Sequence, residues 1–101
     1  MNLKIVRRAE WDMEFRAEFW EKKQEGLGRE YLLHLHDEFE RLLKLAEAGQ
    51  HSRRYGEFHR FLTKRFSAQV FYEVIDEDVV VEGVFDCREE PAVIGLELSK
   101  R

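Results

Sequence analysis

Residues 68–85 read AQVFYEVIDEDVVVEGVF, two apolar runs separated by the acidic triplet Asp76-Glu77-Asp78. The runs are rich in Val, Phe and Tyr, which favour the half-buried surface of a pleated sheet. A short polar triplet between two such runs is typical of a chain reversal. The sequence therefore predicts an antiparallel hairpin of two strands, at residues 68–75 and 79–85.

Two more strands are predicted nearer the N-terminus. Residues 58–62 have the same composition as the hairpin strands. At the start of the chain Leu3 and Ile5 alternate with Asn2 and Lys4, which is the period of a strand with one buried face. The sheet is therefore expected to contain four strands.

Two helices are predicted between these strands. Residues 8–25 contain no Gly or Pro, and Gly26-Leu27-Gly28 then interrupts the pattern, as expected where a helix ends at a residue able to adopt positive φ. Apolar residues recur afterwards at helical spacing until Gly49. They are Leu32, Leu35, Phe39, Leu42, Leu43 and Ala46. The two helices are expected to form an antiparallel hairpin.

The first helix carries apolar residues on two nearly opposite sides. One stripe consists of Ala9, Met13, Ala17 and Trp20, and the other of Trp11, Phe15 and Phe19. Two interpretations follow. Either the helix is covered on both sides by its neighbour and the sheet, or one aromatic stripe binds a partner.

The whole chain is expected to fold as one α+β domain spanning residues 1–101. Its order is a strand, the helical hairpin, three antiparallel strands that complete a four-stranded sheet, and a short terminal helix or tail from Pro91. A chain of 101 residues suits a single core. Apolar residues at 44% supply that core, and the 38% of charged residues form a dense solvated surface.

The net charge of −4 weighs against a surface that binds nucleic acid over most of the protein. The charge is uneven, because residues 51–65 contain five basic residues and only one acid, Glu57. A single cysteine, Cys87, excludes an intramolecular disulfide and favours a reducing cytosol. No segment has the length and apolar character of a signal peptide or a membrane span. His34, Asp37 and Glu38 have a helical spacing that suits a metal, but such groups are frequent by chance on charged helices, so no metal or cofactor is predicted.

Five short motifs resemble, in this order, the RelE/ParE superfamily of toxin–antitoxin toxins. The first is the Gly-Leu-Gly turn after Glu25. Residues 58–66 (FHRFLTKRF), 70–74 (VFYEV) and 79–81 (VVV) are similar to successive strands, and residues 86–91 (DCREEP) to the basic turn that precedes an acid and Pro. The resemblance covers nearly the whole chain. It implies a helical hairpin packed on one face of a small twisted antiparallel sheet.

Three positions depart from what this resemblance implies. Members often carry Phe-Pro-Tyr where this chain has Phe66-Ser67-Ala68. They often carry two adjacent arginines where this chain has Arg88 followed by Glu89. Nucleases of the superfamily carry an arginine at the position of Gln69.

One branch of the superfamily, RelE, cuts messenger RNA on the ribosome. That chemistry needs a base, an acid and cations around one phosphate. The resemblance makes Lys64, Arg65 and Arg88 the candidate cations and Tyr72 or His59 the candidates for proton transfer. Residues 91–101 contain no Tyr or His that could act as a late acid or base.

The other branch, ParE, poisons DNA gyrase by binding and needs no catalytic groups. The absence of nuclease residues therefore favours a type II toxin of the plasmid-stabilisation kind that binds a protein. The alternatives are a ribosome-dependent mRNA endoribonuclease and a non-toxic, decayed member, for which Glu89 is the main indication.

Each candidate residue also has a purely structural interpretation. Tyr72 shares a strand face with Val70 and Val74 and is expected to pack there. Lys64 and Arg65 would then be solvated strand-end charges, and Arg88 would pair with a neighbouring acid. Cys87 would be a small buried apolar residue rather than a nucleophile.

The partners implied are a cognate antitoxin and either gyrase or the ribosome. A small sheet leaves edges that its own helices cover only in part, and the antitoxin is expected to dock there. The predicted contacts are Arg60, Lys64, Arg65 and Arg88. Either a homodimer or a toxin–antitoxin hetero-oligomer is compatible with the sequence.

Overall fold

The computed structural model describes residues 1–51 and 54–101. The elements follow one another as β1 (Asn2–Ile5), α1 (Arg7–Lys23), α2 (Leu27–Glu47), β2 (Arg54–Tyr55), β3 (Phe58–Leu62), β4 (Ala68–Ile75), β5 (Asp78–Asp86) and α3 (Pro91–Ser99). The predicted α+β order is confirmed, and the C-terminal segment forms a helix rather than an extended tail.

The turn between α1 and α2 requires both of its glycines. Gly26 has φ 87°, in the left-handed region that side chains disfavour. A Cβ at Gly28 would lie 2.6 Å from the carbonyl oxygen of Ala17. The Glu21 carboxylate accepts hydrogen bonds from the N–H groups of Gly26 and Gly28, each at 3.0 Å. The two helices can therefore approach closely, and the start of α2 is capped.

The sheet has the order β1-β5-β4-β3-β2. Consecutive strands from β2 to β5 are antiparallel, whereas β1 runs parallel to β5. The four predicted strands are present, and β2 is a fifth strand within a stretch whose sequence indicates only a polar connection. Two residues are too few to show the alternation that marks a strand.

The main core lies between the helical hairpin and the sheet. The expected packing of the helical hairpin on one face of the sheet is observed, and residues of the helix stripes and of the β-hairpin strands form this core. These are Met13, Trp20, Leu35, Phe39 and Leu42 from the helices, and Val70, Tyr72, Val79 and Val81 from the sheet. This part of the prediction is confirmed.

A second, smaller cluster lies on the opposite face of the sheet beneath α3, so the prediction of a single core is incomplete. It contains Phe58, Phe71, Phe85, Ile94 and Leu98. Successive side chains of a strand point to opposite faces, and Phe71 therefore faces away from its neighbours Val70 and Tyr72. The helix α3 provides the cover that these rings require.

A ladder of ion pairs ties α1 to the C-terminal part of the chain. Its members are Arg8–Glu97 at 3.5 Å, Asp12–Arg101 at 2.6 Å and Arg16–Glu89 at 2.6 Å. The α1 residues are four positions apart and therefore share one helix face. Their charges alternate in sign, and each meets its complement. The ladder fixes where α3 sits on the sheet.

Phe39→Ala is expected to lower the free energy of unfolding by about 3–5 kcal/mol, since it leaves a cavity in the main core. Phe39 is only 4% exposed. Leu33, on the same helix, is 52% exposed, so Leu33→Ala is the matched control and should change stability by less than about 1 kcal/mol. Urea unfolding measures both. Equal effects of the two substitutions would contradict the assignment of Phe39 to the core.

Candidate functional site

The three candidate cations lie in two connections at one end of the sheet. Lys64 and Arg65 belong to the β3–β4 connection, and Arg88 belongs to the β5–α3 connection. The carbonyl of Ser67 accepts a 2.7 Å hydrogen bond from the N–H of Cys87, which joins the two connections. All three residues are exposed. This end of the sheet is the candidate site, and the partners of each cation decide what it can do.

The β3–β4 connection is fastened to α2 by a buried carboxylate. Glu38 accepts a 2.6 Å hydrogen bond from the Lys64 N–H and a 2.7 Å bond from the Arg41 guanidinium. Burial opposes ionisation of Glu38, but the bonds from Arg41 and Lys64 outweigh it and hold its pKa below the usual value. The N–H of Arg65 donates to His34 Nε2 at 3.1 Å. The backbone of the connection is therefore fixed, while the Lys64 side chain points to solvent.

Two residues of this connection have left-handed backbone conformations. Phe66 has φ 63° and Ser67 has φ 48°. Aromatic contacts hold the Phe66 ring in place, since its centroid lies 5.1 Å from that of Trp20 and 5.5 Å from that of Tyr31. The guanidinium of Arg65 lies 4.7 Å from the Phe66 centroid and 3.4 Å from Glu30. The Arg65 side chain therefore lies along the outside of the helical hairpin, beside α2.

Arg88 is already paired within its own connection. Its guanidinium lies 2.7 Å and 2.9 Å from the two carboxylate oxygens of Asp86. Burial opposes ionisation of Asp86, but the contacts with Arg88 outweigh it and lower the pKa of that carboxyl. The guanidinium also lies 5.4 Å from the Phe19 centroid and 5.3 Å from that of Trp20. Arg88 is thus paired with a neighbouring acid, as the pairing interpretation of the sequence expected, and it faces the end of α1.

Tyr72 and His59 are brought together, but away from the cations. They are opposite one another on β4 and β3, and their rings stack with centroids 5.1 Å apart. Tyr72 is fully buried in the main core. It lies four positions along β4 from Ala68, which is about 13 Å from the candidate end of the sheet. The structure therefore agrees with the packing interpretation of Tyr72.

Arg60 faces the opposite side of the sheet, beside α3. It donates to Gln69 Oε1 at 3.4 Å, and Gln69 in turn donates to the Asp86 carbonyl at 3.3 Å. These residues and Cys87 line a groove of about 200 Å³ along α3. Burial and the nearby Asp86 raise the pKa of the Cys87 thiol. The thiol is therefore protonated at neutral pH. The expectation that Cys87 is buried is wrong, because the residue lies exposed in the turn that follows β5.

Glu89, which stands where the resemblance implies a second arginine, closes the β5–α3 connection. Its carboxylate accepts hydrogen bonds from Arg16 at 2.6 Å and from the Asp86 N–H at 2.6 Å. Sequence reasoning missed this role, because the ion pair joins residues 73 positions apart. The only local signal is the alternation of charge at positions 8, 12 and 16.

The second aromatic stripe of α1 faces solvent. Trp11 is 56% exposed, Phe15 is 68% exposed and Phe19 is 40% exposed. The helix is therefore not covered on both sides. The interpretation in which both sides of the helix are covered is wrong, and the binding of a partner by this stripe stays a prediction.

Within residues 1–51 and 54–101, no group of three or more His, Cys, Asp or Glu side chains is arranged to hold a metal ion. Glu38 instead binds the β3–β4 connection, with His34 beside it. No helix in this part of the chain is both long and apolar enough to cross a bilayer.

The chain is similar in structure to a chain of a toxin–antitoxin system and to an isolated toxin. A chain of the chromosomal ParDE toxin–antitoxin system from P. aeruginosa superposes with a TM-score of 0.67 at 14% identity, over 85% of this chain and 95% of that one. The isolated E. coli RelE toxin superposes with a TM-score of 0.50 at 16% identity, over 98% of this chain and 97% of that one. No protein-family model and no curated protein matches the sequence. The chain therefore shares the fold of these two structures.

Glu38→Gln should lower the free energy of unfolding at pH 7 by about 1–3 kcal/mol, since it weakens buried hydrogen bonds to a charged group. Because the folded-state pKa of Glu38 is lowered, its contribution is present above the unfolded pKa of about 4.3 and is lost as pH falls below it. Wild type and variant should therefore converge in stability in acid. Glu40→Gln, on the same helix but exposed, is the control. A constant difference between pH 7 and acid would contradict the role of the Glu38 charge.

Proposed function

We propose that this protein is the toxin of a type II toxin–antitoxin pair, that it acts in the cytoplasm by binding a protein, as a DNA gyrase poison does, and that a cognate antitoxin neutralises it. The fold supports the first part, since one of the structures described above is a chain of a toxin–antitoxin system and the other is a toxin. The arrangement of the candidate catalytic residues supports the second.

The observation that carries the proposal is the dispersal of those residues. Cleavage of RNA requires a base, an acid and cations around one phosphate. Here Arg65 lies along the hairpin, Arg88 is paired with Asp86, and Tyr72 is buried in the core. Tyr72 therefore lies away from the end of the sheet that carries the two arginines. Inhibition by binding requires no such convergence.

A ribosome-dependent mRNA endoribonuclease is the second candidate. It is favoured by the similarity to the E. coli RelE toxin over 98% of the chain. It is also favoured by Lys64, whose side chain is exposed at the same end of the sheet as Arg88. A reorientation of Arg88 on the ribosome would be needed to bring the two cations to one phosphate.

The purified protein is expected to leave messenger RNA intact on translating ribosomes, as measured by primer extension. With DNA gyrase, it is expected to inhibit supercoiling and to cause accumulation of cleaved DNA. Induced expression without antitoxin should arrest growth.

Three outcomes discriminate among the candidates. Codon-specific cuts that vanish in Arg88→Ala would replace the proposal with the nuclease. Growth arrest with neither RNA cleavage nor an effect on gyrase would keep the toxin and remove gyrase as its target. Normal growth under strong expression would favour the non-toxic alternative.

We further propose that the antitoxin contacts Lys64, Arg65 and Arg88 at the end of the sheet, and Arg60 on the face beside α3. Lys64 has no ion-pair partner among the described residues. Arg65 reaches Glu30 only at 3.4 Å, and both side chains are exposed. Such charges steer an approaching acidic partner more than they stabilise the fold.

Reversing both charges, Lys64→Glu with Arg65→Glu, should slow association with the antitoxin encoded beside the gene by about tenfold at low salt. The free energy of unfolding should change by less than about 1 kcal/mol. Stopped-flow fluorescence measures the rate. The control is Arg29→Glu with Lys44→Glu, two exposed cations on α2, which should associate at the wild-type rate. Equal slowing by both pairs would show that only net charge matters.

A further inference from the structure

The outer face of α1 carries an apolar surface that no described residue covers. We call Trp11, Phe15 and Phe19 the α1 stripe. These rings recur every four residues and are 40% to 68% exposed. The exposed side chain of Val93 on α3 lines the same groove as Trp11 and Phe15. Single exposed apolar residues are ordinary, whereas a contiguous set indicates an interaction site.

A groove of about 370 Å³ runs between α1 and α3. Trp11 and Phe15 form one wall, and Val93 forms part of the other. Its floor is the ion-pair ladder, including Asp12 and Arg101, whose charges already satisfy one another. The groove therefore offers an occupant apolar walls over a floor of paired charges, in which the Arg101 Nε–H has no hydrogen-bond partner among the described residues.

Cations stand at both ends of the α1 stripe. The Arg7 guanidinium lies 5.9 Å from the Trp11 centroid, and the Lys23 ammonium lies 5.2 Å from the Phe19 centroid. Neither Arg7, Lys22 nor Lys23 has an ion-pair partner among the described residues. Sixteen helical positions separate Arg7 from Lys23, a distance of about 24 Å.

We propose that the α1 stripe and the groove beside it bind an amphipathic helix of another protein, with apolar residues along its middle turns and carboxylates at both ends. The apolar middle would pack on the three rings. The acidic ends would pair with Arg7 and with Lys22 and Lys23. This inference goes beyond the toxin proposal and does not depend on it.

A second copy of this chain fits the α1 stripe poorly. If two α1 helices packed antiparallel about Phe15, Arg7 of one copy would face Lys23 of the other, and Arg8 would face Lys22. Parallel packing would set each cation against its own equivalent. Like charges therefore meet in both arrangements, and each contact opposes association.

The area of the α1 stripe also favours a single helix as the binding partner. The three partly exposed rings offer about 300 Å², whereas a standard protein interface buries about 800 Å² on each partner. A single helix in a groove needs less area, because a few anchoring side chains carry most of its binding energy.

Phosphate-rich partners are disfavoured by neighbouring acids. Glu10, Glu14 and Glu18 are exposed on the solvent side of α1, next to the α1 stripe. Their charges would repel the backbone of a nucleic acid or the headgroups of an anionic bilayer. A partner helix can avoid them, because it presents its carboxylates only at the two ends.

The test uses two labelled peptides of about 20 residues, long enough to reach both ends of α1. Both have leucines at helical spacing through the middle. One ends in paired Glu on both sides, and the other ends in paired Lys. Fluorescence anisotropy should show that the Glu-ended peptide binds and that its affinity falls as salt is added. The Lys-ended peptide should bind at least about tenfold more weakly.

Variants locate the binding surface. Phe15→Ser should weaken binding of the Glu-ended peptide by about tenfold or more, the effect of losing an anchoring ring. Arg7→Glu with Lys23→Glu should remove the preference for the Glu-ended peptide. Leu33→Ser, which changes a comparably exposed residue on α2, is the control and should bind as wild type. Thermal unfolding confirms that each variant is folded.

Several results would overturn the proposal. Failure of the Glu-ended peptide to bind would do so, as would equal binding of both peptides. Sedimentation that shows a dimer of the chain, lost in Phe15→Ser, would assign the surface to a second copy. Binding to phosphatidylglycerol vesicles or to single-stranded RNA that Phe15→Ser abolishes would assign it to phosphates.

Discussion

The carboxylate of Asp12 is the contact on which the assembly of the elements depends. It is buried in α1, accepts a hydrogen bond from the Val84 N–H of β5 at 3.1 Å, and pairs with Arg101 at 2.6 Å and 3.1 Å. An unpaired charge in the interior costs several kcal/mol, so α1, β5 and the C-terminal segment must meet. Gly83 permits the contact, because a Cβ there would lie 2.7 Å from the Arg101 guanidinium.

The position of α3 that follows from this contact decides which surfaces remain open. The helix α3 covers Phe71 and Phe85, and with them most of the sheet face that the hairpin leaves bare. Arg60 and Gln69 then lie in a narrow groove beside it. The end of the sheet and the outer face of α1 remain exposed. Both present side chains suited to binding another chain.

Local patterns in the sequence predicted most of the fold. Alternation and helical spacing predicted β1, β3, β4, β5 and both long helices, because the polarity of each side chain indicates whether it is buried. The main core followed from the same stripes. The strand β2, the cluster beneath α3 and the ladder were missed. Each depends on contacts between residues that are distant in sequence, such as Arg16 and Glu89. A local sequence pattern contains no information on such contacts.

The candidate site was harder to predict, because the charge of a residue does not identify the residue with which it forms an ion pair. Lys64, Arg65 and Arg88 do lie at one end of the sheet, as their strand-end positions indicated. What the sequence could not show is that Asp86 already binds Arg88 and that Glu38 fixes the backbone at Lys64. Asp86 lies two residues from Arg88, whereas Glu38 lies 26 residues from Lys64. Distance along the chain therefore does not identify the acid that each cation meets in the folded protein.

The two proposed binding surfaces are joined by an unbroken band of rings and cations. Neighbouring members lie 4.7 to 5.4 Å apart, in the order Arg65, Phe66, Trp20, Arg88, Phe19 and Lys23. Trp20 belongs to the core side of α1, whereas Phe19 belongs to the α1 stripe. The band therefore links the basic end of the sheet to the helix surface without a gap. A partner helix on the α1 stripe would reach Arg88 at its end, so one acidic partner could engage both surfaces. The band therefore runs without interruption from the Arg65 guanidinium at the end of the sheet to the Lys23 ammonium on the outer face of α1.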